Sequence, residues 1–337
     1  MRTAHVTVVT PGRCGLYETT RELVAGLRIL GVDARLVDPT RDTNKLHPGG
    51  GGDRGALFGS MQWALQEADL IVNHSGYDNT PLEKSHHPVV HVAHGRPRSS
   101  FLSEVQGSTP IYSYWYAKAK DPRFAAIVTF WPQHRPYLET MMPGKPVHVV
   151  QSSVDLEAWT PDGPAGYSFH GKKGAINIVS TDAFRDDIDP FVPLHAAALW
   201  AREVKGVKIH VYARPKSASK GWGALLRRIQ EDGNLGELHG WTQGLAHVYR
   251  AASFMLTAQD IDTRSVRESM ACGCPVVRMG DLNGNWRKRM LDGLMSGRAG
   301  VRKAAEILFD PRQTVRQFKA VLDSVPLAKA QPKLRAV

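Results

Sequence analysis

Residues 264–277 read RSVRESMACGCPVV, a pattern typical of a short helix, a sharp turn and a buried strand. We expect the helix to end at Gly273, because glycine readily takes the left-handed conformation there, and the chain to turn through Pro275 into the strand. Glu268 lies on the first turns of this helix, and Asp260 lies on the preceding loop. Backbone N–H groups and the helix dipole favour anions at a helix N-terminus, so both carboxylates are expected to face a ligand that carries a diphosphate.

The same alternation of helix and strand extends over the whole chain. It is interrupted only between residues 159 and 174, which are rich in Pro, Gly and Lys. The predicted strands are residues 5–10, 32–37, 70–72, 89–92, 126–129, 147–150, 176–180, 207–213, 254–257 and 276–277. The predicted helices are residues 17–30, 60–67, 133–141, 192–204, 222–230, 245–252, 265–271, 301–308 and 314–322. Repeated β–α units indicate parallel sheets covered by helices on both faces.

The interruption divides the chain into domains. We predict the α/β fold class, with two Rossmann-like, doubly wound domains and a cleft between them. The N-terminal domain covers residues 1–165, the second domain covers residues 166–305, and residues 306–337 form basic C-terminal helices and a tail. Ligands of such domains bind at the carboxyl ends of the strands, so the predicted site faces the cleft.

Composition excludes several classes of protein. The 337 residues are 42% hydrophobic and 22% charged, as in ordinary globular proteins. No apolar run is long enough for a membrane-spanning helix, and the apolar start at residues 5–9 is too short for a signal peptide. Three cysteines are too few for a disulfide framework, so we expect a cytoplasmic protein. Cys272 and Cys274 fit no zinc-binding pattern, and we interpret them as structural.

The net charge of +11 lies entirely in the second half of the chain. Residues 1–168 carry equal numbers of basic and acidic side chains, whereas residues 169–337 carry 27 and 16. Within that half, residues 281–337 carry 12 basic and 5 acidic side chains. Such an imbalance favours a polyanionic partner, namely nucleic acid, an anionic membrane surface or a phosphorylated substrate. A solvated basic surface without any such partner is an equally simple explanation.

Residues 268–277, ESMACGCPVV, resemble the signature of a large family of retaining glycosyltransferases. That family has the GT-B fold and includes glycogen, sucrose and mannoside synthases. Asp260 and Glu268 also have the family's spacing of two acidic residues with seven between them. The resemblance implies that Glu268 binds the nucleotide ribose and that Asp260 faces the donor sugar. The first acidic residue is usually Glu in a glycine-rich loop, and residues 259–265 (QDIDTRS) depart from that pattern.

Other stretches resemble the same family from residue 1 to about residue 280. Residues 146–161 resemble the family's element at the domain junction, and Trp241 with residues 248–252 resembles its element beside the nucleotide base. His94 takes the place of a histidine at the donor sugar, although a histidine after a buried strand is equally often a hydrogen-bonded core residue. Gly15 lies where the family has a glycine-rich turn. The GT-B resemblance also implies that the C-terminal helices return towards the N-terminal domain.

Phosphate groups of the donor require cationic or N–H partners. Arg185 follows a predicted strand and is the first candidate, because a guanidinium binds phosphate through two hydrogen bonds. Arg214 follows the next strand, together with Lys216 and Lys220, and a solvated surface is an equally good interpretation of these three. At the start of the signature helix, Arg264 and Ser265 complete the predicted donor-binding set.

A metal site is the alternative way to hold a diphosphate. The acidic runs at residues 186–189 and 260–262 are of a type that suits Mg²⁺ or Mn²⁺. The resemblance implies instead that cationic side chains replace the metal. We therefore predict no metal and no cofactor, with a UDP- or GDP-sugar as co-substrate.

The predicted activity is that of a retaining hexosyltransferase, which transfers a sugar from a nucleotide sugar to an acceptor hydroxyl. The acceptor is a carbohydrate, a lipid or a small metabolite, and peripheral membrane contact stays open. A hydroxylated base in DNA is a minority alternative, similar to phage-encoded DNA glucosyltransferases that act in the host cytoplasm, and it would require base flipping. An inactive nucleotide-sugar or nucleic-acid binding protein is a further alternative, and a nucleotide-sugar epimerase is disfavoured by the signature.

The DNA hypothesis depends on the basic C-terminal region. Residues four apart share one helix face, as do Arg298 with Arg302 and Arg312 with Arg316, and like charges at this spacing repel each other. A polyanion would neutralise such a face. The residues predicted to bind a polyanionic acceptor are Arg287, Lys288, Arg289, Arg298 and Arg302.

Overall fold

The computed structural model describes residues 1–7, 15–39, 57–74, 85–105, 107, 111–163, 175–182, 190–212, 220–240, 242, 244–280, 282 and 285–327. The chain forms two compact units. Unit 1 comprises Met1–Ser152 and Pro311–Val337, and unit 2 comprises Ser153–Asp310. The corresponding divisions predicted from the sequence lie after residues 165 and 305.

Unit 1 contains a six-stranded parallel sheet with the strand order β2-β1-β3-β4-β5-β6. Its strands are β1 (Arg2–Val6), β2 (Asp33–Val37), β3 (Leu70–Asn73), β4 (Val89–Ala93), β5 (Phe124–Thr129) and β6 (Val147–Val149). The helices between them are α1 (Gly15–Ile29), α2 (Met61–Gln66), α3 (Pro97–Val105), α4 (Ile111–Lys118) and α5 (Arg135–Met141). Every residue of the central strands β3 and β4 is buried, as expected for a parallel sheet with both faces covered.

Unit 2 contains a five-stranded parallel sheet with the strand order β11-β10-β7-β8-β9. Its strands are β7 (Ile176–Ser180), β8 (Val207–Tyr212), β9 (Leu235–His239), β10 (Phe254–Thr257) and β11 (Val276–Arg278). Its helices are α6 (Phe191–Glu203), α7 (Lys220–Glu231), α8 (Ala246–Ala251), α9 (Arg264–Ala271), α10 (Trp286–Met295) and α11 (Arg298–Leu308). Two parallel sheets with intervening helices confirm the predicted α/β class.

The last helix, α12 (Pro311–Ser324), belongs to unit 1 and packs on α1. Gly26 of α1 allows this close approach, because a Cβ atom at that position would collide with the side chain of Val315. Phe318 of α12 is fully buried, and the Gln317 side chain accepts a hydrogen bond from the backbone N–H of Gln151 at 2.7 Å. The C-terminal helix is therefore an integral part of the unit 1 core.

Candidate functional site

Helix α9 ends in a hydrogen-bonded turn that leads directly into β11. Gly273 has a φ of +70°, the left-handed conformation that glycine adopts readily. The N–H of Cys274 donates to the carbonyl of Ser269 at 2.9 Å, and the N–H of Gly273 donates to that of Met270 at 2.9 Å. These two bonds form a Schellman motif, so the predicted helix end at Gly273 is confirmed. The motif fixes the C-terminal end of the helix that carries Glu268.

The loop between β10 and α9 is fixed at its first residues by a buried carboxylate. Asp182, which follows β7, accepts hydrogen bonds from the hydroxyl of Thr257 at 2.8 Å and from the N–H of Ala258 at 2.6 Å. The hydroxyl oxygen of Thr257 in turn accepts from the N–H of Gln259 at 3.0 Å. These bonds join the carboxyl ends of two neighbouring strands, which is where ligands bind in open α/β sheets.

Arg278 fixes the following residues of the same loop. This residue is the last of β11, and its Nη1 donates to the carbonyls of Gln259 and Ile261, both at 2.9 Å. Its Nη2 forms an ion pair with the carboxylate of Asp262. Asp260 lies between these attached residues, and its side chain is exposed. The structure therefore presents one predicted catalytic carboxylate to solvent on a loop whose backbone is held from both sides.

Glu268 is buried on α9, in contrast to the exposed Asp260. The Nε of Arg264, one turn earlier, donates to the Glu268 carboxylate at 2.6 Å. Thr263 precedes the helix without a side-chain cap bond to it, and its hydroxyl lies 3.2 Å from the hydroxyl of Ser265. Four of the residues predicted from sequence, Asp260, Arg264, Ser265 and Glu268, thus lie together on this loop and the first turns of α9.

Tyr249 of α8 packs beside Glu268. Burial raises the pKa of its phenol well above the usual value, and the neighbouring Glu268 carboxylate raises it further. Both cysteines that follow Glu268 on the chain are free and buried. Burial raises the pKa of Cys272 to about 12 and that of Cys274 to about 11. Both thiols are therefore protonated at neutral pH, which agrees with a structural role.

The other predicted donor-binding and catalytic residues lie outside the described residues or in unit 1. Arg185, Arg214 and Trp241 lie outside the described residues, and so do Lys216 and the acidic run at residues 186–189. Gly15 is the exposed first residue of α1. His94 follows β4 in unit 1, where its Nε2 lies 2.8 Å from Nδ1 of His74. The roles predicted for these residues stay predictions.

The predicted basic face of α11 is directed at backbone carbonyls of unit 2. Arg298 donates to the carbonyls of Ala252 at 2.8 Å, Tyr249 at 2.9 Å and Cys272 at 3.2 Å. Arg302 donates to those of Trp159 at 2.6 Å, Ala271 at 2.7 Å and Leu156 at 3.1 Å. The bonds that both residues make to backbone carbonyls do not favour polyanion binding, and the role predicted for Arg298 and Arg302 stays a prediction. Arg298 satisfies carbonyls at the ends of α8 and α9, and Arg302 satisfies one at the end of α9 and two in the turn at residues 156–159.

The basic triplet of residues 287–289 lies on α10 and is exposed. Arg287 forms an ion pair with Glu203 at 2.6 Å, and Lys288 forms one with Asp292 at 2.6 Å. Exposed pairs of this kind contribute little to stability. The basic side chains of residues 287–289 on α10 are thus exposed, whereas Arg298 and Arg302 on α11 are partly buried.

The described residues contain no cluster of three or more His, Cys, Asp or Glu side chains that could hold a metal ion. Every helix among them is too short or too polar to cross a lipid bilayer.

Solved glycosyltransferase structures share this architecture. HepE from Anabaena, in complex with UDP and glucose, is 12% identical with a TM-score of 0.68, over 96% of this chain and 100% of that chain. Sucrose-phosphate synthase from Thermosynechococcus elongatus is 14% identical with a TM-score of 0.70, over 96% and 98%. The pneumococcal O-GlcNAc transferase GtfA, in complex with UDP and GlcNAc, is 9% identical with a TM-score of 0.64, over 96% and 98%.

The chain has the GT-B fold. The fold predicted from the signature at residues 268–277 is therefore confirmed. By sequence the chain matches no family model and no curated protein. TM-scores of 0.64–0.70 establish the GT-B fold, whereas identities of 9–14% establish no activity, so a function has to be argued from the site residues.

Two residues that fix the loop before α9, Asp182 and Arg278, were not predicted from the sequence. Asp182 lies just beyond a predicted strand, and Arg278 continues a predicted strand by one residue. Polar residues directly after buried strands are a usable signal, because carboxyl ends of parallel strands meet at one edge of the sheet. Applied systematically, this rule would have found Asp182. Arg278 would have required knowledge of which loop lies beside β11.

Proposed function

We propose that this protein is a glycosyltransferase that transfers a sugar from a nucleotide diphosphate sugar to an acceptor hydroxyl. One observation carries the proposal. In unit 2, an exposed carboxylate on a fixed loop, Asp260, lies next to a helix N-terminus and a second, buried carboxylate, Glu268. The GT-B fold and the UDP complexes of HepE and GtfA support this choice of ligand.

The diphosphate, the ribose and the sugar of the donor each have a partner of suitable chemistry in unit 2. The N–H groups at the start of α9 suit the diphosphate, since the helix dipole favours negative charge there. The Glu268 carboxylate can accept hydrogen bonds from ribose hydroxyls, and Arg264 orients it by donating to it at 2.6 Å. Asp260 is the group that reaches the sugar. Arg185 and Arg214 remain our candidates for additional phosphate partners.

The chemistry we infer is departure of the nucleotide from the anomeric carbon as the acceptor oxygen approaches it. Negative charge that develops on the leaving phosphate is stabilised by helix N–H groups, which are already oriented before reaction. Asp260 would stabilise positive charge at the sugar ring. This scheme needs no strong general base, and it is compatible with retention of configuration, which we include in the proposal.

The acceptor we propose is a hydroxyl of a carbohydrate, lipid or small metabolite. A nucleic-acid acceptor is not included, because two of the five residues on which that hypothesis depends, Arg298 and Arg302, bond to backbone carbonyls of unit 2. Arg287 and Lys288 have carboxylate partners of their own.

Calorimetry followed by a turnover assay tests the proposal. UDP, GDP and UDP-glucose are titrated into the wild-type protein, and UDP- and GDP-sugars are then incubated with it, with and without candidate acceptors, while nucleotide release is measured. Binding together with release supports a transferase. Binding without release from any sugar would favour the alternative of an inactive nucleotide-sugar binding protein. Absence of nucleotide binding would refute the proposal.

A further inference from the structure

Two neighbouring helices of unit 1 carry large apolar side chains on their outer surface. Phe101 and Val105 of α3 are 48% and 67% exposed, and Tyr116 of α4 is 59% exposed. Phe101 and Val105 are four residues apart and therefore share one helix face. Helices α3 and α4 pack against each other. Single exposed apolar residues are common on folded proteins, whereas a group of them on adjacent helices indicates an interaction surface.

Helix α5 extends this surface. Trp115 of α4 and Leu138 of α5 are buried in one hydrophobic cluster together with Ala4 and Val6 of β1. Alternate residues of a strand point to the same face of a sheet, so α4 and α5 cover one face of the unit 1 sheet. Helices α4 and α5 are also in contact. Tyr137, on the outer side of α5, is 62% exposed and adds a third aromatic ring to this surface.

Basic side chains border these apolar ones. Arg98 lies one turn before Phe101 on the same face of α3, and it is exposed. Lys120 lies four residues after Tyr116, in the turn that follows α4, and it is exposed as well. Each of the two helices therefore places a cation beside an exposed aromatic ring.

The local sequence is basic although this half of the chain has no net charge. Residues 96–120 contain four basic residues and one acidic residue. The acidic residue, Glu104, is partly buried and accepts a hydrogen bond from the N–H of Ser113 at 3.0 Å. Five of the 25 residues are aromatic, against 8% for the whole chain. Aromatic and basic residues together are typical of surfaces that contact lipid headgroups.

We propose that the outer surface of α3, α4 and α5 docks on an anionic lipid bilayer. This surface, which we call the aromatic face, comprises Arg98, Phe101, Val105, Tyr116, Lys120 and Tyr137. Its apolar side chains would enter the boundary between headgroups and acyl chains, where the tyrosines keep their hydroxyls in water. Its two cations would contact the anionic headgroups. A nucleic acid is a less suitable partner, because phosphate contacts use cations and N–H donors and not apolar side chains.

Helix α10 of unit 2 is a weaker candidate for such a contact. Leu291 and Met295 are exposed there, beside the basic triplet of residues 287–289. The only aromatic residue of α10, Trp286, is buried, however, and two cations of the triplet form ion pairs with carboxylates. Helix α10 therefore lacks the exposed rings of the aromatic face and provides a matched control for it.

Co-sedimentation with lipid vesicles tests the docking directly. The full-length wild-type protein is mixed with vesicles of phosphatidylcholine alone, or of phosphatidylcholine and phosphatidylglycerol in equal parts, without any sugar nucleotide. We expect binding to the anionic vesicles to be at least about tenfold tighter than to the neutral ones, and to weaken as the ionic strength rises. Equal binding to both kinds of vesicle, or no binding to either, would overturn the proposal, whatever becomes of the proposed function.

A pair of double variants tests which helices make the contact. Phe101→Ser with Tyr116→Ser removes two exposed rings of the aromatic face, and Leu291→Ser with Met295→Ser removes two exposed apolar side chains of α10. We expect the first variant to bind anionic vesicles about tenfold more weakly and the second to bind like the wild type, because membrane affinity scales with the apolar area that enters the bilayer. The reverse result would assign the contact to α10 and refute the docking of the aromatic face.

Charge reversal provides a second, independent comparison. Arg98→Glu with Lys120→Glu is compared with Arg289→Glu with Lys303→Glu, which changes the net charge equally at exposed positions of the basic half. Each cation near an anionic surface adds to the affinity, so we expect about a hundredfold weaker vesicle binding for the first pair and little change for the second. Thermal unfolding checks that all variants are folded. Equal losses in both pairs would show that binding follows net charge alone, and the assignment to the aromatic face would then be wrong.

Discussion

At the carboxyl edge of the unit 1 sheet the notable polar side chains are histidines, whereas at the same edge of the unit 2 sheet they are carboxylates and an arginine. His5 and His74 are buried and joined by neutral hydrogen bonds. Asp182 bonds to a hydroxyl and an N–H, and Arg278 bonds to two carbonyls and pairs with Asp262. Two parallel sheets thus carry neutral polar groups at the carboxyl edge of one and charged groups at the carboxyl edge of the other.

Because one edge carries neutral imidazoles and the other carries charged groups, the two edges should respond differently to pH and ionic strength. A chain of neutral imidazoles loses its hydrogen-bond pattern when one member takes up a proton, so it depends on pH. Ion pairs that are half-exposed, such as Arg278 with Asp262, depend more on geometry and ionic strength. The following predictions test this contrast, in order of decreasing expected effect.

Acid should destabilise unit 1 more than unit 2. The pKa of His5 is about 3 in the folded protein, against 6.5 when unfolded, and that of His91 is also about 3. Below pH 6.5 the unfolded chain takes up these protons and the folded chain does not, so the free energy of unfolding falls as the pH drops from 6.5 towards 3. Each pKa unit is worth about 1.4 kcal/mol, which gives a loss of several kcal/mol. Hydrogen exchange of β1 and β10 amides between pH 7 and 4 measures this loss in each unit.

A pair of substitutions provides the control for the acid prediction. His5→Phe removes one buried titrating group and should flatten the pH dependence of unfolding, whatever it does to stability at pH 7. His86→Phe changes an exposed histidine of the same unit and should leave the pH dependence as it is. Equal pH dependence in both variants and the wild type would contradict the assignment of the acid effect to His5.

Arg302→Met should destabilise unit 2 by about 3 kcal/mol, since it leaves three backbone carbonyls without their donor. Arg289→Met removes an exposed arginine of α10 and is expected to change stability by less than about 0.5 kcal/mol. Urea unfolding of both variants gives the comparison. A small effect of Arg302→Met would mean that α11 does not depend on this side chain and that a polyanion-binding role has to be reconsidered.

Asp260→Asn should lower kcat about a hundredfold and change nucleotide affinity much less. The substitution preserves volume but removes the charge that would act on the sugar in the transition state. Steady-state kinetics with the best sugar nucleotide, together with calorimetry of UDP binding, separates the two effects. An unaffected kcat would make Asp260 an ordinary loop residue.

Glu268→Ala should weaken nucleotide binding roughly tenfold or more, because hydrogen bonds to a charged group contribute about 1.5–3 kcal/mol. Glu231→Ala, at an exposed position on α7, serves as the control. The expected change is in the Kd for UDP or GDP measured by calorimetry. Equal affinity of both variants would remove Glu268 from the donor site.

Local sequence signals predicted the bounds of several helices and strands well, for example the end of α9 at Gly273. The strands at residues 176–180 and 254–257 have the predicted bounds, and the helix before Gly273 starts one residue earlier than predicted. The edge strand β9 was missed, because LGELH contains Gly and Glu and alternates in exposure. Helix α10 was missed because its exposed face is basic and Gly293 lies in its interior.

The candidate site was predictable only as far as it is local. Asp260, Arg264, Ser265 and Glu268 were found because they lie within one short stretch. The hydrogen bonds among the unit 1 histidines were not, since His5 and His74 are 69 residues apart, and His74 and His94 are 20 apart. Pairing at such distances depends on strand order, which periodicity does not reveal. For the same reason the sequence could not show that the shared face of Arg298 and Arg302 is directed at backbone carbonyls.

Arg278→Lys should have the smallest effect and gives the sharpest test of the charged edge. Lysine keeps the positive charge, but it lacks the planar fork with which Arg278 reaches two carbonyls and Asp262 at once. The loop would then hold Asp260 less firmly, and a small misplacement of a reacting group lowers kcat, here by about tenfold. UDP affinity should stay nearly constant, because the partners that we propose on α9 for the diphosphate and the ribose are not altered. Arg287→Lys, in an exposed ion pair of the same unit, is the matched control and should leave both values unchanged. A fall in UDP affinity without a fall in kcat would show that Arg278 supports the fold of unit 2 and does not position Asp260.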